Sequence, residues 1–437
     1  MRKLTLSLLL LVLISCSKDD NSNANVGGTI DKISVIGGSK NESAQSVIST
    51  QDGGYAILGY TQSMDGDIVG KDNESFDYWL LKYDSNGNLE WQKTYGGTAE
   101  DRGAGLVQTA DGGFALFGYS KSSDGDTTEN AGGRDFWVIK VNSTGSVIWQ
   151  KSHGFIGSDY GNKIISTSDN GLLLVGVLDV TSSNGAGNDR AIQHAGGDYW
   201  AIKLDANGNK LWRHYYGGNL ADTPNSVVES QDGGFIIVGT ADSADVDITN
   251  NKGTYDIWIV KINASGTLLW EKSFGGAEID SGYDIVKTSD NNFVIVGDTR
   301  SSDQDISSNN GAADAWVLKI NSTGELLWQK TIGGTSFDVA RSICKAQEGG
   351  FFIAGSSRSA DGDITTNKGQ NDGLIMKMSS DGNLEWQKTI GGSNIDFFYS
   401  VAQLSNSNVI VVGNSTSSDG DIQANQGFTD ALIVTIK

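Results

Sequence analysis

The sequence predicts an all-β protein: a seven-bladed β-propeller of four-stranded blades, closed by an N-terminal strand that pairs into the last blade. Three observations carry this expectation. Glycine fills 58 of 437 positions and proline only 1, about twice the usual glycine share of about 7%, which implies many tight turns between short strands. An Asp-x-Trp motif recurs at Trp79, Trp137, Trp200, Trp258 and Trp316 and continues with Leu374 and Leu432 in the same slot, at steps of 58, 63, 58, 58, 58 and 58 residues. Within each period four alternating or apolar runs are separated by turn chemistry, and a small sheet repeated in this way buries its faces only when neighbours stack around an axis.

The four runs of a unit, named a to d, are GLVQTA, GFALFGYS, DFWVIKVN and SVIWQKSH in the second unit. Between a and b sits Asp-Gly-Gly, at Asp52, Asp111 and Asp232, and between c and d a segment such as Asp84-Ser85-Asn86-Gly87-Asn88. Both supply residues that tolerate positive φ in hairpins. A second tryptophan follows the first by 12 residues, at Trp91, Trp149, Trp212, Trp270, Trp328 and Trp386. For a c/d hairpin centred on its turn, the parity of residues 79 and 91 predicts both indoles on one sheet face, packing blade on blade. The seventh unit stops after its c run, and residues 29 to 36 precede Gly37-Gly38 as a d run precedes Gly96-Gly97. The N-terminal strand therefore completes the last blade, removing an open edge, and residues 29 to 437 form one domain.

Ahead of that domain, residues 1 to 16 read MRKLTLSLLLLVLISC, a basic start followed by an apolar run too short for a permanent span. Residues 1 to 15 are read as a signal peptide, and Leu13-Ile14-Ser15-Cys16 resembles the lipobox of bacterial lipoproteins. That resemblance implies lipidation of Cys16 and a membrane partner reached through the anchor. Ser17-Lys18-Asp19-Asp20 resembles the acidic signal that sends lipoproteins of Bacteroidota to the outer face of the outer membrane. Residues 16 to 28 are polar and rich in Gly, Asn and Ser, as a flexible tether is. With 53 Asp+Glu against 32 Lys+Arg, a net charge of -21 and no basic patch, a nucleic acid is excluded as a partner. Two cysteines exclude a disulfide framework or a Cys-rich zinc module.

The units resemble the seven-bladed β-propeller repeat family of bacterial proteins, on Asp-Gly-Gly-Phe-Ala-Leu-Phe-Gly-Tyr (111 to 119), Asp-x-Trp-x-x-Lys and Gly-x-x-x-Trp. The resemblance covers nearly the whole chain after the signal and implies the fold, whereas propellers host binding, scaffolding and catalysis alike.

Residues present in every unit are read first as scaffold. Asp77, Asp135, Asp198, Asp256, Asp314, Asp372 and Asp430, with Lys82, Lys140, Lys203, Lys261, Lys319 and Lys377, are assigned to turn-fixing and inter-blade polar contacts. Glu42, Asp101, Asp159, Asp222, Asp280, Asp338 and Asp396 follow the first Gly of each d-to-a connection by five residues. If strand a lines the axis, they form a ring near one channel mouth, open to a cationic ligand; the alternative is that each caps backbone N–H groups. The long b-to-c loops carry Asp65/Asp67, Asp124/Asp126, Asp245/Asp247, Asp303/Asp305, Asp361/Asp363 and Asp419/Asp421. Alternating Asp oxygens suit Ca²⁺, while Asx-turn chemistry explains the same pattern without an ion; no cofactor is required by any motif.

The third unit breaks the pattern with a loop lengthened by five residues and no Asp-x-Asp pair, and the three histidines, His153, His194 and His214, fall in or beside it. Asp189, Arg190 and His194, with Asp159, are candidate ligand-binding residues there. Cys344 lies in an apolar run and reads as core. No phosphate loop or Gly-x-Ser-x-Gly elbow occurs, so no catalytic residue is assigned and binding is favoured over catalysis. The expectation is an outer-membrane lipoprotein facing outward whose b-to-c loop face binds a glycan or a protein. Two alternatives stand beside it. One is a periplasm-facing assembly scaffold, because Asn-Gly-Asn-Leu-Glu-Trp (86 to 91) resembles tryptophan-docked, quinoprotein-like propeller lipoproteins, although their repeat is shorter. The other is a glycan-active enzyme with carboxylates at the channel mouth, in which Glu42→Gln and Asp101→Asn would leave folding intact.

Overall fold

The computed structural model describes residues 27 to 188 and 194 to 437. Residues 1 to 26, with Cys16, and Asp189 and Arg190 lie outside the described residues. Among those described, twenty-eight strands form seven four-stranded antiparallel sheets. In the first blade, strands a to d are Glu42–Ser49, Tyr55–Thr61, Asp77–Tyr83 and Leu89–Tyr95. Strand c is buried along its whole length and strand d is largely exposed, which is why c reads as a continuous apolar run and d as a polar one. In the seventh blade Ile30–Ile36 pairs antiparallel with Asp430–Ile436, from Ile30 opposite Ile436 to Ile36 opposite Ala431. The two ends of the chain thus share one sheet, as the repeat count predicts, and the a strands touch their neighbours around the whole ring.

The tryptophan arrangement departs from the expectation. Trp79 lies opposite Thr94, while Trp91 lies opposite Lys82, three residues along strand c, so the two indoles are on opposite faces. The cause is a bulge: Lys82 pairs with Trp91 but Tyr83 with Leu89, leaving Glu90 as an extra residue that flips the parity of strand d. Trp79 packs towards the seventh blade with Ile410, Val412 and Ile433, and Trp91 packs on the second blade beside Phe114 and Trp137. The first five blades therefore hold both neighbours with indoles, while the sixth has Leu374 and the seventh Leu432 in the first slot. The first indole N–H is satisfied from strand d, as in Trp79 to Gln92 at 2.9 Å, and in the third blade by the Gly187 carbonyl of the longer loop at 2.8 Å. Removing one such buried indole costs about 3 to 5 kcal/mol.

The second indole also explains a glycine. A Cβ built on Gly145, Gly208, Gly266, Gly324, Gly382 or Gly28 would stand 3.0 Å from the indole of Trp91, Trp149, Trp212, Trp270, Trp328 or Trp386, respectively. Each indole lies on the turn backbone of the next blade. Gly145 and Gly87 share a φ of +79°, but only Gly145 meets an indole. Gly145→Ala is expected to destabilise the fold in urea melts by about 1 to 2 kcal/mol more than Gly87→Ala, since strain is common to both and overpacking is not. Equal losses would show that the indole leaves room for a methyl group.

Candidate functional site

The face bearing the d-to-a and b-to-c loops is built around a repeated turn. Two glycines open six of the seven d-to-a connections, the third blade's having Gly154-Phe155, and at five of them three successive N–H groups meet carboxylates. In the connection to the second blade, Gly96 donates to Asp126 Oδ2 (3.1 Å), Gly97 to Asp101 Oδ2 (2.9 Å) and Thr98 to Asp124 Oδ1 (2.8 Å). The next N–H, of Ala99, goes to Ser122 Oγ at 3.1 Å. The same three acceptors serve the first, fifth, sixth and seventh blades, for example Asp67, Glu42 and Asp65 for Gly37, Gly38 and Ser39. Glycine is needed because the carboxylates sit on the Cα atoms: a Cβ on Gly97 would be 2.3 Å from Asp124 Oδ1.

This geometry changes the reading of both carboxylate sets. Glu42, Asp101, Asp159, Asp222, Asp280, Asp338 and Asp396 are each 0% exposed, so they do not stand at a channel mouth. Asp101 also accepts the Ser120 and Ser122 hydroxyls. The residues offered to calcium, Asp65, Asp67, Asp124, Asp126, Asp245, Asp303, Asp305, Asp361, Asp363, Asp419 and Asp421, direct oxygens at the turn N–H groups. Asp247 instead reaches His194 Nε2 at 3.7 Å. Among the described residues, no group of three or more His, Cys, Asp and Glu side chains has the arrangement of a metal site. Because Glu42 and Asp101 are buried and hold the turn, Glu42→Gln and Asp101→Asn are now expected to perturb the fold rather than leave it intact.

The Asp that opens each c strand is buried as well. Asp135, Asp256, Asp314, Asp372 and Asp430 accept, through Oδ2, the N–H four residues earlier at 2.5 to 2.9 Å. Their Oδ1 atoms have no partner. Two blades replace that N–H with a base: Lys71 Nζ lies 2.7 Å from Asp77, and His194 Nδ1 lies 2.6 Å from Asp198. The paired lysines bind within their own blade rather than across blades, Lys140 to Asp111 at 2.9 Å and Lys82 to Asp52 at 2.8 Å. The histidines do not converge. His194 packs edge-on to Tyr215, His214 stacks on Trp212, and burial holds His153 down to about 4.

What the repeat does not predict is a belt of arginines on aromatic rings. Arg102 lies 4.7 Å from the Tyr60 centroid and 4.1 Å from Phe76; Arg134 lies between Tyr119 (5.1 Å) and Tyr160 (4.8 Å). Glu100 ties Arg102 and Arg134 together, at 2.7 and 3.5 Å. Across the ring, exposed Arg300 and Arg358 flank Phe337 at 5.7 and 5.4 Å. Below this belt, a bulge in every a strand inserts one extra residue, Gln45, Ala104, Asn162, Asn225, Tyr283, Arg341 or Tyr399, and all seven line a cavity of about 220 Å³ on the axis. The available signal is position: Phe76, Arg134 and Phe337 directly precede repeated carboxylates, and Arg102 and Tyr160 directly follow them.

Fold and site together define a closed seven-bladed propeller whose strand-a and strand-c carboxylates are internal and whose loop face varies from blade to blade. No family model matches the chain. It is similar to the regulatory protein FlaEY of Caulobacter vibrioides, 24% identical over 191 residues, which are 41% of this chain and 20% of that protein, so the chain spans about a fifth of that relative's length. Solved structures with a likeness include Sqt1 from Chaetomium thermophilum (10% identity, 93% of this chain and 100% of that one, TM-score 0.45) and the Pan2 WD40 domain of Neurospora crassa (10%, 90% and 88%, 0.45). The α-L-arabinofuranosidase Arb93A from Fusarium graminearum, in complex with an iminosugar inhibitor, is another (9%, 76% and 92%, 0.45). The fold assignment of this chain rests on its own strand pairing.

The buried carboxyls set a pH dependence. Burial first, then neighbouring carboxylates, pushes Asp314 and Asp430 up to about 6, and burial pushes Asp159 up to about 7. Such a group, at about 3.9 when unfolded, takes up a proton on folding. Its stabilisation is complete below the unfolded value and is lost as pH rises through about 6 to 7. The opposite set, such as Asp111, drawn down to about 2 by the Thr109 hydroxyl and the Lys140 ammonium, titrates only in stronger acid. The melting temperature is therefore expected to fall between pH 5 and pH 8, and less so in Asp314→Asn. A flat or rising profile over that range would contradict the buried-proton account.

Proposed function

We propose that this protein is a lipid-anchored outer-membrane binding module, without catalysis of its own, that presents its b-to-c loop face to a partner outside the cell. One observation carries the reading: the strand-a and strand-c carboxylates common to the blades are enclosed in the scaffold and the exposed Asp-x-Asp pairs are engaged by the turn N–H groups, so the groups left free for partners on this face are the ones that differ between blades. That surface carries exposed Met64 (45%), Val69 (66%), Ile156 (74%) and Phe428 (69%) beside the arginine and aromatic belt. Isolated apolar anchors, arginine and aromatic rings are the composition of protein interfaces, which favours a protein over a glycan on this face. The lipobox resemblance ending at Cys16 and the acidic residues after it support the anchor and its outward orientation.

Protease added to intact cells is expected to remove the protein while a periplasmic control survives, and Cys16→Ala is expected to release it from the membrane fraction. Protection until lysis would favour the periplasm-facing assembly scaffold instead. The proposal also includes that the loops need no calcium, since their carboxylates serve backbone N–H groups. EDTA is then expected to leave the melting temperature unchanged; a drop restored by added Ca²⁺ would return those loops to the ion.

A further inference from the structure

The junction between the seventh and first blades keeps Trp79 but lacks the second tryptophan found at the other six. Lys32 lies opposite Thr435, the register position held by the second indole in the other blades, as in Lys82 opposite Trp91. A Cβ on Gly87, which faces Lys32, would meet only Tyr55 Oη at 3.7 Å, and the space between the first and seventh blades is a cavity of about 570 Å³. Its floor also differs from the other junctions. Where the second blade has Phe114 and Val141, the first has Tyr55 and Tyr83, stacked at 4.7 Å with 7° between the rings. These residues are 3% and 7% exposed, both line the cavity, and among the described residues neither hydroxyl has a hydrogen-bond partner. The rim carries the amides of Asn86 and Asn408 and a balanced charge, Lys32 and Lys437 against Asp31 and Asp67, with Lys437 and Asp31 paired at 2.7 Å.

We propose that this ring-closure cavity is a binding site for a neutral saccharide of one or two units. The volume lies within the ordinary range of small-molecule sites. A bare glycine backbone beside two stacked phenols accepts a flat ring, as the six equivalent glycines accept indoles. Two hydroxyls opening into the cavity and an amide rim favour a ligand that returns hydrogen bonds; an apolar ring covering them would leave the tyrosine hydroxyls buried and unpaired. The balance of two ammonium and two carboxylate groups selects against a charged ligand. The site goes beyond the loop-face reading, because its lining comes from the ring-closing strand, strand c of the first blade and the c/d and a/b turns, with Asp67 the b-to-c loop residue at its edge, and it does not depend on the orientation of the anchor.

The test is calorimetric titration of the full-length chain in detergent with neutral mono- and disaccharides, and with glucuronate and indole as contrasts. A neutral sugar is expected to bind. Lys32→Trp, which restores the indole, is expected to raise the melting temperature and weaken binding by roughly tenfold or more, and Tyr55→Phe with Tyr83→Phe to weaken it while the fold is kept. If Lys32→Trp does not fold, the tyrosine pair decides. Absence of sugar binding, or sugar binding that survives both filling the cavity and removing its hydroxyls, overturns the proposal. Indole binding without sugar overturns it in favour of an aromatic side chain of a partner. Arg300→Ala with Arg358→Ala is expected to leave sugar binding unchanged, so that failure of the loop-face reading is distinguishable from failure of this one.

Discussion

The structure depends on how the turn N–H groups between blades are satisfied, three of them by carboxylates at five of the seven junctions. A chain passing from the outer strand of one blade to the inner strand of the next must bury backbone where no neighbouring strand can pair with it, and a buried unpaired N–H costs about as much as a lost hydrogen bond. Three carboxylates from two segments, Asp101 of strand a and Asp124 and Asp126 of the b-to-c loop at the second blade, take one donor each. The glycines are there because those oxygens lie on the Cα atoms. Asp-x-Asp, Gly-Gly and the strand-a acid are thus one device, which ties each blade's first and third connections together and fixes the angle at which the next blade begins.

This device also explains how an acidic protein encloses so many carboxyl groups. An ionised carboxylate is expensive to bury unless donors surround it. The strand-a acids and loop pairs have donors, whereas the strand-c acids have one oxygen served and one bare. In two blades the chain supplies a base for the strand-c acid, Lys71 or His194, whereas in others burial raises the acid's affinity for a proton, to about 6 for Asp314 and Asp372. The third blade combines a lengthened loop, His194 against Asp198 and Asp247, and no Asp-x-Asp pair of its own. Its histidine is better understood as a local answer to a buried acid than as the centre of a ligand site.

Period, strand count and ring closure were legible because they are carried by residues that repeat at fixed spacing. The face of Trp91 was not, because one extra residue, Glu90, reverses the parity of strand d and has no side-chain signature of its own. The seven acids were found but placed at a mouth: spacing reveals that every blade needs them, and only three-dimensional geometry reveals that what they meet is backbone. The belt of Arg102, Arg134 and Phe337 was invisible to a method that weighs repetition, since these residues occur in single blades. Their legible trace is adjacency to the repeated acids, which puts them at strand ends on one face of the ring.

Closing a ring with both chain ends imposes an asymmetry that no internal blade has. The strand Ile30–Ile36 completes the seventh blade without belonging to a covalent c/d hairpin, so its residues are free of the turn that elsewhere accompanies the tryptophan. At that position an indole would bury a large apolar area and tighten the closing contact, and the other junctions show that the backbone accommodates one. Lys32 forgoes that stabilisation at the junction where the ring most needs it, and Tyr55 with Tyr83 recovers only part of the lost contact while turning two hydroxyls into the gap. A polar cavity retained at the closing seam, against the packing used at six other seams of the same molecule, is difficult to derive from stability alone and is what a ligand site at that seam would require.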